Sequence, residues 1–411
     1  LPFSRSDARF VWVLSIAQLI TWGSIFYGFA LFMVPLEKAL GMTRAQSSLG
    51  FSLMLLTEGL LAFFIGRWID RGHERFIMTF GSLLVGVLLL VHSVISTQAQ
   101  FYTVWTLLGV AMACTLYPPA FAVLTRRFPN HFRRAIIILS FLGGLASTVF
   151  IPLIAWLMDA IDWRETMWVI AAMQFLVCAP IHFYLLRGAK SKSLNLDKNK
   201  DHLDAEEKHI AFKTAEPHLS IWQFMRNPVF WQLSCFVVLL MAATSALPAH
   251  MVSLLRESGM SETWAIAVPA SIGVIQVVGR LGLYLLEKRI DVHTSNRWVT
   301  LLIPLGLLSL IMGHGEVLGC LVFVLLYGLG NGMLTIVKGT VMAEYVSKAH
   351  MGSLNGILGV PMAVARAAAP LLMGLMWSAS DGYTYGLWML LIVSVIGVGA
   401  LWSAQNNAQK I

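Results

Sequence analysis

Long apolar stretches, broken by short polar turns, recur along the whole chain. Twelve of them approach or exceed the roughly 20 residues that a helix needs to cross a hydrocarbon core. They run over residues 10–34, 44–68, 76–96, 101–126, 134–158, 165–187, 228–254, 262–286, 298–313, 317–343, 350–377 and 382–404. The ninth is the shortest. Apolar residues are continuous within each stretch, which excludes the alternating strands of about ten residues found in membrane barrels. The pattern predicts an all-α polytopic membrane protein with twelve transmembrane helices.

Composition agrees. The chain has 411 residues, of which 57% are hydrophobic and 12% charged, against roughly 25% charged in a soluble domain. Its 29 Lys and Arg and 21 Asp and Glu cannot coat a soluble protein of this size, so a soluble enzyme and a disordered chain are both excluded. The net charge of +8 does not mark a nucleic-acid binder, because the basic residues form short runs between apolar stretches and no single basic face. Their distribution sets an orientation instead. With the N-terminus inside, 22 of the 29 Lys and Arg, including Lys288, Arg289 and Lys348, face the cytoplasm, and four, Lys38, Arg44, Arg164 and Arg256, face outward in loops. The remaining three, Arg280, Lys338 and Arg366, lie within spans. The positive-inside rule then places both termini in the cytoplasm of a cell (inner) membrane. The first stretch is too long, and followed by too many others, to be a removable signal. Cys114, Cys178, Cys235 and Cys320 lie in apolar stretches without metal-site spacing, so free thiols are expected.

One connection, residues 188–227, is long and polar. It reads as a cytoplasmic linker with one short amphipathic helix near 205–212, and its histidines (His202, His209, His218) lack metal-site spacing. It divides the chain into pseudo-symmetric six-helix halves, residues 1–187 and 228–411. Such halves are a recurrent transporter device. An internal repeat supports the division: Leu40-Gly41-Met42-Thr43 precedes the second span and Ser258-Gly259-Met260-Ser261 precedes the eighth. Thr43 and Ser261 each stand where a helix N-cap belongs. Downstream, Gly66-Arg67 and Gly279-Arg280 follow, but Arg280 comes five residues earlier in its helix, about 7.5 Å deeper.

An arginine at mid-membrane costs about 2.5–3.5 kcal/mol on insertion scales, so Arg280 and Arg366 need a compensating use. The guanidinium fork suits a carboxylate or phosphate. The pair is expected to grip an anionic substrate between the halves. The structural alternative pairs one arginine with Glu58 and the other with helix carbonyls. Glu58 is the acidic residue deepest in a span, and desolvation against a nearby arginine makes it the candidate proton carrier or a permanent ion-pair partner. Lys338, near the inner end of the tenth span, reads as snorkelling to headgroups. Asn331, among Gly328, Gly330 and Gly332, marks a close-packed or flexible part of that span and a candidate substrate contact. Tyr27, Tyr117 and Tyr327 are candidate cavity-lining aromatics, with packing as the alternative. Pro118-Pro119 should distort the fourth helix. His92, His182, His250 and His314 stand near span ends and are expected to face headgroups or water. His250-Met251 has no second thioether or thiolate pair beside it for copper.

Gly66-Arg67-Trp68-Ile69-Asp70-Arg71-Gly72-His73-Glu74-Arg75 resembles the signature between the second and third helices of the major facilitator superfamily, Gly-x-x-x-Asp-Arg-x-Gly-x-Arg. Twelve spans, two halves, a central linker and both ends inside extend the resemblance to the whole chain. It implies a secondary active transporter working by alternating access, with Gly66, Asp70, Arg71 and Arg75 as a cytoplasmic gate. The chain is also similar to the bacterial carboxylate-porter branch of oxalate–formate exchangers and monocarboxylate porters. That likeness rests on Trp22-Gly23-Ser24-Ile25-Phe26-Tyr27-Gly28 and on Gly279-Arg280. It implies basic residues in helices 8 and 11 as the anion grip, matched by Arg280 and Arg366. It also implies aromatics in helices 1, 4 and 10, matched by Tyr27, Tyr117 and Tyr327. The helix-5 signature of drug antiporters is poorly matched: Gly143-Gly144 and Pro152 are present, but its Gly-Pro pair is not.

The expected function is transport of a small organic anion, proton-coupled or by exchange. The alternative is a proton-coupled exporter of amphipathic drugs or metabolites. No Gly-x-x-x-x-Gly-Lys-[Ser/Thr] sequence occurs, and no nucleophile–base or metal cluster stands in the spans, so no enzyme activity and no cofactor are expected. The expected partners are a small-molecule anionic substrate, protons and the lipid bilayer, with the monomer as the working unit.

Overall fold

Helix follows wherever the apolar stretches run. The computed structural model describes residues 5–128, 131–187, 226–286, 291–313, 315–346 and 351–408. The linker with its short helix and three histidines, together with Lys288, Arg289, His314 and Lys348, lies outside these residues. Among the described residues, eleven helical stretches are long and apolar enough to cross a membrane. The second, Arg44–Ser93, is 50 residues long and turns back at Gly72, whose φ of 83° an L-residue rarely adopts. That turn makes twelve helices: α1 Arg5–Leu40, α2 Arg44–Trp68, α3 Glu74–Ser93, α4 Gln98–Arg127, α5 Arg134–Ile161, α6 Trp163–Leu185, α7 Pro228–Glu257, α8 Glu262–Leu286, α9 Val292–Met312, α10 Val317–Tyr345, α11 Met351–Leu375 and α12 Thr384–Ala408.

Local chemistry sets the ends and the irregularities. Thr43 accepts the Gln46 N–H at 3.3 Å and Gln46 reaches back to Thr43 N at 2.9 Å, a capping box that starts α2. The ninth helix starts six residues before the expected 298, because Asp291 caps it by accepting from Thr294 N at 3.2 Å. Pro118-Pro119 cannot supply their N–H groups, and α4 breaks at the extended Leu116 before resuming at Tyr117. Helix α1 carries a π turn over Trp22–Tyr27.

One buried apolar cluster is drawn from residues 229–404, and two others come mainly from residues 10–186. Large side chains such as Phe63, Phe76, Trp156 and Leu318 stand exposed on the outside, as in a protein solvated by lipid. His92, His182 and His250 are not at a headgroup surface: all three are buried. Each has a partner inside, His92 from Trp105 Nε1 at 2.9 Å, His182 with Ser82 Oγ at 2.8 Å and His250 with Tyr383. Proximity to a helix end misled here, because these ends are covered by neighbouring helices.

The bundle has two unlike ends. One carries Arg5, Ala408 and the Gly66–Arg75 turn, and is called the basic end. At the opposite end α2 lies against α11, where a Cβ on Gly374 would sit 2.4 Å from Ser48 Oγ. The contact continues to Gly59 and Ala363 and then ends: a Cβ on Gly66, Gly356 or Gly359 would meet nothing within 4 Å. Helices α5 and α8 cross between the same ends, with Thr148 Oγ1 donating to the Ala270 carbonyl at 2.6 Å. The molecule is closed at the opposite end and splayed at the basic end.

Candidate functional site

Two close approaches bring the central helices together. A Cβ on Gly332 of α10 would sit 2.2 Å from the Gln276 carbonyl of α8, and one on Gly59 of α2 would sit 2.3 Å from the Ala363 Cβ of α11. Neither position holds a larger side chain unless a helix moves. The first contact sets Gln276 and Arg280 beside Asn331. The second sets Glu58 beside Arg366.

Between the halves is a small cavity. Tyr27 and Ile151 line it from the first half, and Leu247, Pro248, Met251, Pro269, Ile272, Gln276, Tyr327 and Asn331 from the second. Prolines free acceptors around it. Pro248 has no N–H for the Thr244 carbonyl one turn back, and the Tyr327 hydroxyl donates to that carbonyl at 3.2 Å. Pro370 likewise frees the Arg366 carbonyl, which accepts from Ser245 Oγ at 3.0 Å. Tyr327 therefore shows the cavity its ring, which stacks on Phe323 at 5.0 Å, and not its hydroxyl.

The charges sit next to this space. Arg366 Nη1 is 3.1 Å from Glu58 Oε2, with side chains 19% and 7% exposed. Arg280 is 7% exposed. Its Nη1 donates to the Ser140 carbonyl at 2.5 Å, and its Nε is buried without a hydrogen-bond partner. Among the described residues no carboxylate pairs with it. Tyr117 packs on Trp22 and Phe121, with ring centroids 5.0 and 5.1 Å away, and neighbours Arg280. Tyr27 neighbours Arg280 and Gln276. Lys338 does not snorkel: its Nζ turns inward onto Met241 Sδ of α7 at 3.2 Å.

A second polar group closes the opposite end. Arg44 Nε is 2.8 Å from Glu37 Oε1 of its own half, and Arg44 Nη1 is 2.9 Å from Glu257 Oε1 of the other half. Arg44 Nη1 also donates to the Tyr383 hydroxyl, and its guanidinium lies 4.8 Å over the Trp377 ring. Trp377 Nε1 donates to Glu257 Oε2 at 2.8 Å. Beneath them His250 Nε2 faces the Pro370 carbonyl at 3.0 Å and its Nδ1 faces the Tyr383 hydroxyl at 3.1 Å. A carbonyl only accepts, so Nε2 carries the proton and Nδ1 accepts from Tyr383.

A family model described as Major Facilitator Superfamily matches residues 13–370. The chain belongs to the major facilitator superfamily. YcxA of Bacillus subtilis (strain 168), an uncharacterized MFS-type transporter, is 24% identical over 405 residues, 95% of this chain and 93% of that protein. Among solved structures, a bacterial homolog of the human lysosomal transporter Spinster, inward-facing and unoccupied, matches with a TM-score of 0.72 at 16% identity over 98% of both chains. The same homolog, inward-facing and occupied, gives 0.70 at 16% over 100% of this chain and 97% of that one. A variant of the nucleoside transporter NupG gives 0.70 at 12% identity over 96% and 99%. At such identities these structures speak for the fold alone. The protein is a multi-pass membrane transporter with the all-helical major facilitator fold, and its substrate is a small molecule.

The superfamily's signature turn is placed but not engaged. Asp70 and Arg71 are exposed and make no ion pair among the described residues. The turn is braced from within its own half: Arg126 Nη1 donates to the Ile69 carbonyl and lies 3.1 Å from Glu74 Oε2. Arg75 Nε donates to the Phe183 carbonyl at 2.9 Å and its guanidinium covers that ring at 4.0 Å, so Arg75 ties α3 to α6. The structure thus lines one cavity with Tyr27, Tyr327 and Asn331, sets Tyr117 and Arg280 next to Tyr27, pairs Arg366 with Glu58, and leaves Gly66, Asp70 and Arg71 at the open end.

Reasoning from sequence missed Gln276 as a lining residue and missed the Arg44 network. Arg44 was counted only as an outer-loop charge. A signal did exist: Arg44 directly follows the first Gly-Met repeat and Glu257 directly precedes the second, so the two opposite charges flank corresponding turns of the two halves.

Proposed function

We propose that this superfamily member is a secondary active transporter that moves a small organic anion by alternating access, with its basic end in the cytoplasm of the cell membrane. The observation that carries the reading is Arg280: a guanidinium deep between the halves, with a buried Nε lacking a partner and no carboxylate to neutralise it among the described residues. A buried charge left in this state is costly, and a substrate carboxylate would supply both the missing acceptor and the missing charge. The sequence likeness to the carboxylate-porter branch points the same way.

In this mechanism the anion enters the splayed end and binds Arg280, with Tyr27, Tyr117, Tyr327 and Asn331 around it. Its approach competes with Glu58 for Arg366. Glu58, released, takes up a proton or waits for an exchanging anion. Neutralised, the two halves (1–187 and 228–411, joined by the 188–227 linker) rock together at the basic end, the Asp70/Arg71 latch with Gly66 forms, and the Arg44 network parts. The monomer contains every group the cycle uses.

One observation favours a second reading, a proton-coupled exporter of amphipathic compounds. Both arginines already hold protein partners, Glu58 and the Ser140 carbonyl, and the cavity wall is mostly apolar. Thermal unfolding of the purified protein against small carboxylates, organic cations and amphipathic drugs separates the two. A ligand at 100 times its Kd adds about 2.7 kcal/mol. Carboxylates should raise the midpoint of the wild type but not of Arg280→Gln or Arg366→Gln. A response to cationic or neutral amphipaths alone, kept in both variants, would replace the anion reading with the exporter.

A further inference from the structure

Lys338 is the charged group of the central region that the mechanism above leaves unused. It is half-buried, and its ammonium rests on the Met241 thioether, a weak acceptor for a group with three donors. Its electrostatic neighbours are Arg366, Glu58 and Arg280. Helix geometry puts it on the cavity side. Tyr327 and Asn331 line the cavity; Lys338 stands seven residues, two turns, beyond Asn331 on the same stripe of α10, about 10 Å nearer the splayed end. On α8, Gln276 lines the cavity and Arg280 stands one turn further in the same direction.

The charges then do not balance. Among the described residues this cluster holds three cations, Arg280, Lys338 and Arg366, and one carboxylate, Glu58, which is spent on Arg366. The excess is two positive charges within the membrane-spanning bundle. While Glu58 holds Arg366, as it does in this structure, a monoanion would leave one of them unpaired and a dianion would leave none. The two cations without a carboxylate, Arg280 and Lys338, also stand on different helices, which suits two separate anionic groups better than one.

Resting on the anion reading above, we propose that Lys338 is a substrate-binding residue and that the ligand is a small dicarboxylate, one carboxylate on the Arg280 fork and the other on the Lys338 ammonium. The test compares probes of one skeleton and different charge: succinate and glutarate against their half-amides, at neutral pH where free carboxyls are ionised, by calorimetry on the full-length protein in nanodiscs. The wild type should bind the dicarboxylates at least about tenfold more tightly than the half-amides, as one added charge-assisted contact implies. Lys338→Gln should erase that preference while leaving half-amide affinity within about threefold, and Lys338→Arg should keep it. Removing one like charge from a crowded cluster should not lower the unliganded melting temperature, so a lost preference in a folded Lys338→Gln reports binding. Equal affinity of both probe classes in the wild type, or a preference that survives Lys338→Gln, would overturn the dicarboxylate proposal and leave the anion site standing. Failure of both probe classes to bind the wild type would overturn the anion reading with it.

Discussion

Substituting Arg44→Gln should tip the conformational balance of this transporter, and the contacts of Arg44 say by how much. Its pair with Glu37 lies within the first half and survives any movement of one half against the other. The hydrogen bonds to Glu257 and Tyr383 and the stacking on Trp377 cross between halves, so these favour the closed opposite end. A hydrogen bond to a charged group contributes about 1.5–3 kcal/mol, and Glu257 is 32% exposed, which pushes its share to the low end. The two hydrogen bonds together come to about 2–3 kcal/mol, a population shift of at least about 30- to 150-fold. Spin labels on Lys38→Cys and Ser380→Cys, both exposed at this end and in different halves, would report it by pulsed dipolar distance measurement in a background without the four native cysteines. Arg44→Gln should add or enlarge a long-distance population. Glu37→Gln is the control: it removes a contact within one half, so it should lower the melting temperature and leave the distances alone. An unchanged distribution in Arg44→Gln, or an equal shift in Glu37→Gln, would refute the reasoning that this network is a gate.

Two further outcomes follow from the α2–α11 crossing. Glu58→Gln strands Arg366 as an unpaired buried cation and should cost about 3–5 kcal/mol, read by thermal or denaturant unfolding; Glu58→Gln with Arg366→Gln should recover most of that loss, whereas additive losses would mean the pair is not coupled. Gly59→Ala puts a Cβ 2.3 Å from that of Ala363 and should cost about 1–3 kcal/mol by overpacking, with Ala363→Gly restoring the midpoint; a neutral Gly59→Ala would show that the two helices do not cross so closely.

The architecture was legible in the order of residues alone. Hydrophobic continuity over about 20 residues leaves helix as the one way to satisfy backbone groups in lipid, so the number of spans and most of their ends were readable. Misses at helix ends came from caps, as where Asp291 extends α9 beyond its apolar run. The charged and aromatic candidates were readable too, because an arginine or glutamate inside a span stands out against its surroundings. What no local pattern contains is the partner of each. Glu58 meets Arg366 across 308 positions of chain, and whether Arg280 finds a carboxylate or a backbone carbonyl depends on which residue of α5 packs against α8. The same holds for Lys338. Position near a helix end pointed its ammonium to headgroups, yet the rotation of α10 about its own axis, fixed by Gly332 against Gln276, turns it inward. Arg44 looked like one more loop charge until the fold brought Glu257 and Tyr383 to it. Residue type determines which groups need a partner in a membrane; tertiary packing alone decides which partner, and which end of the molecule stands open.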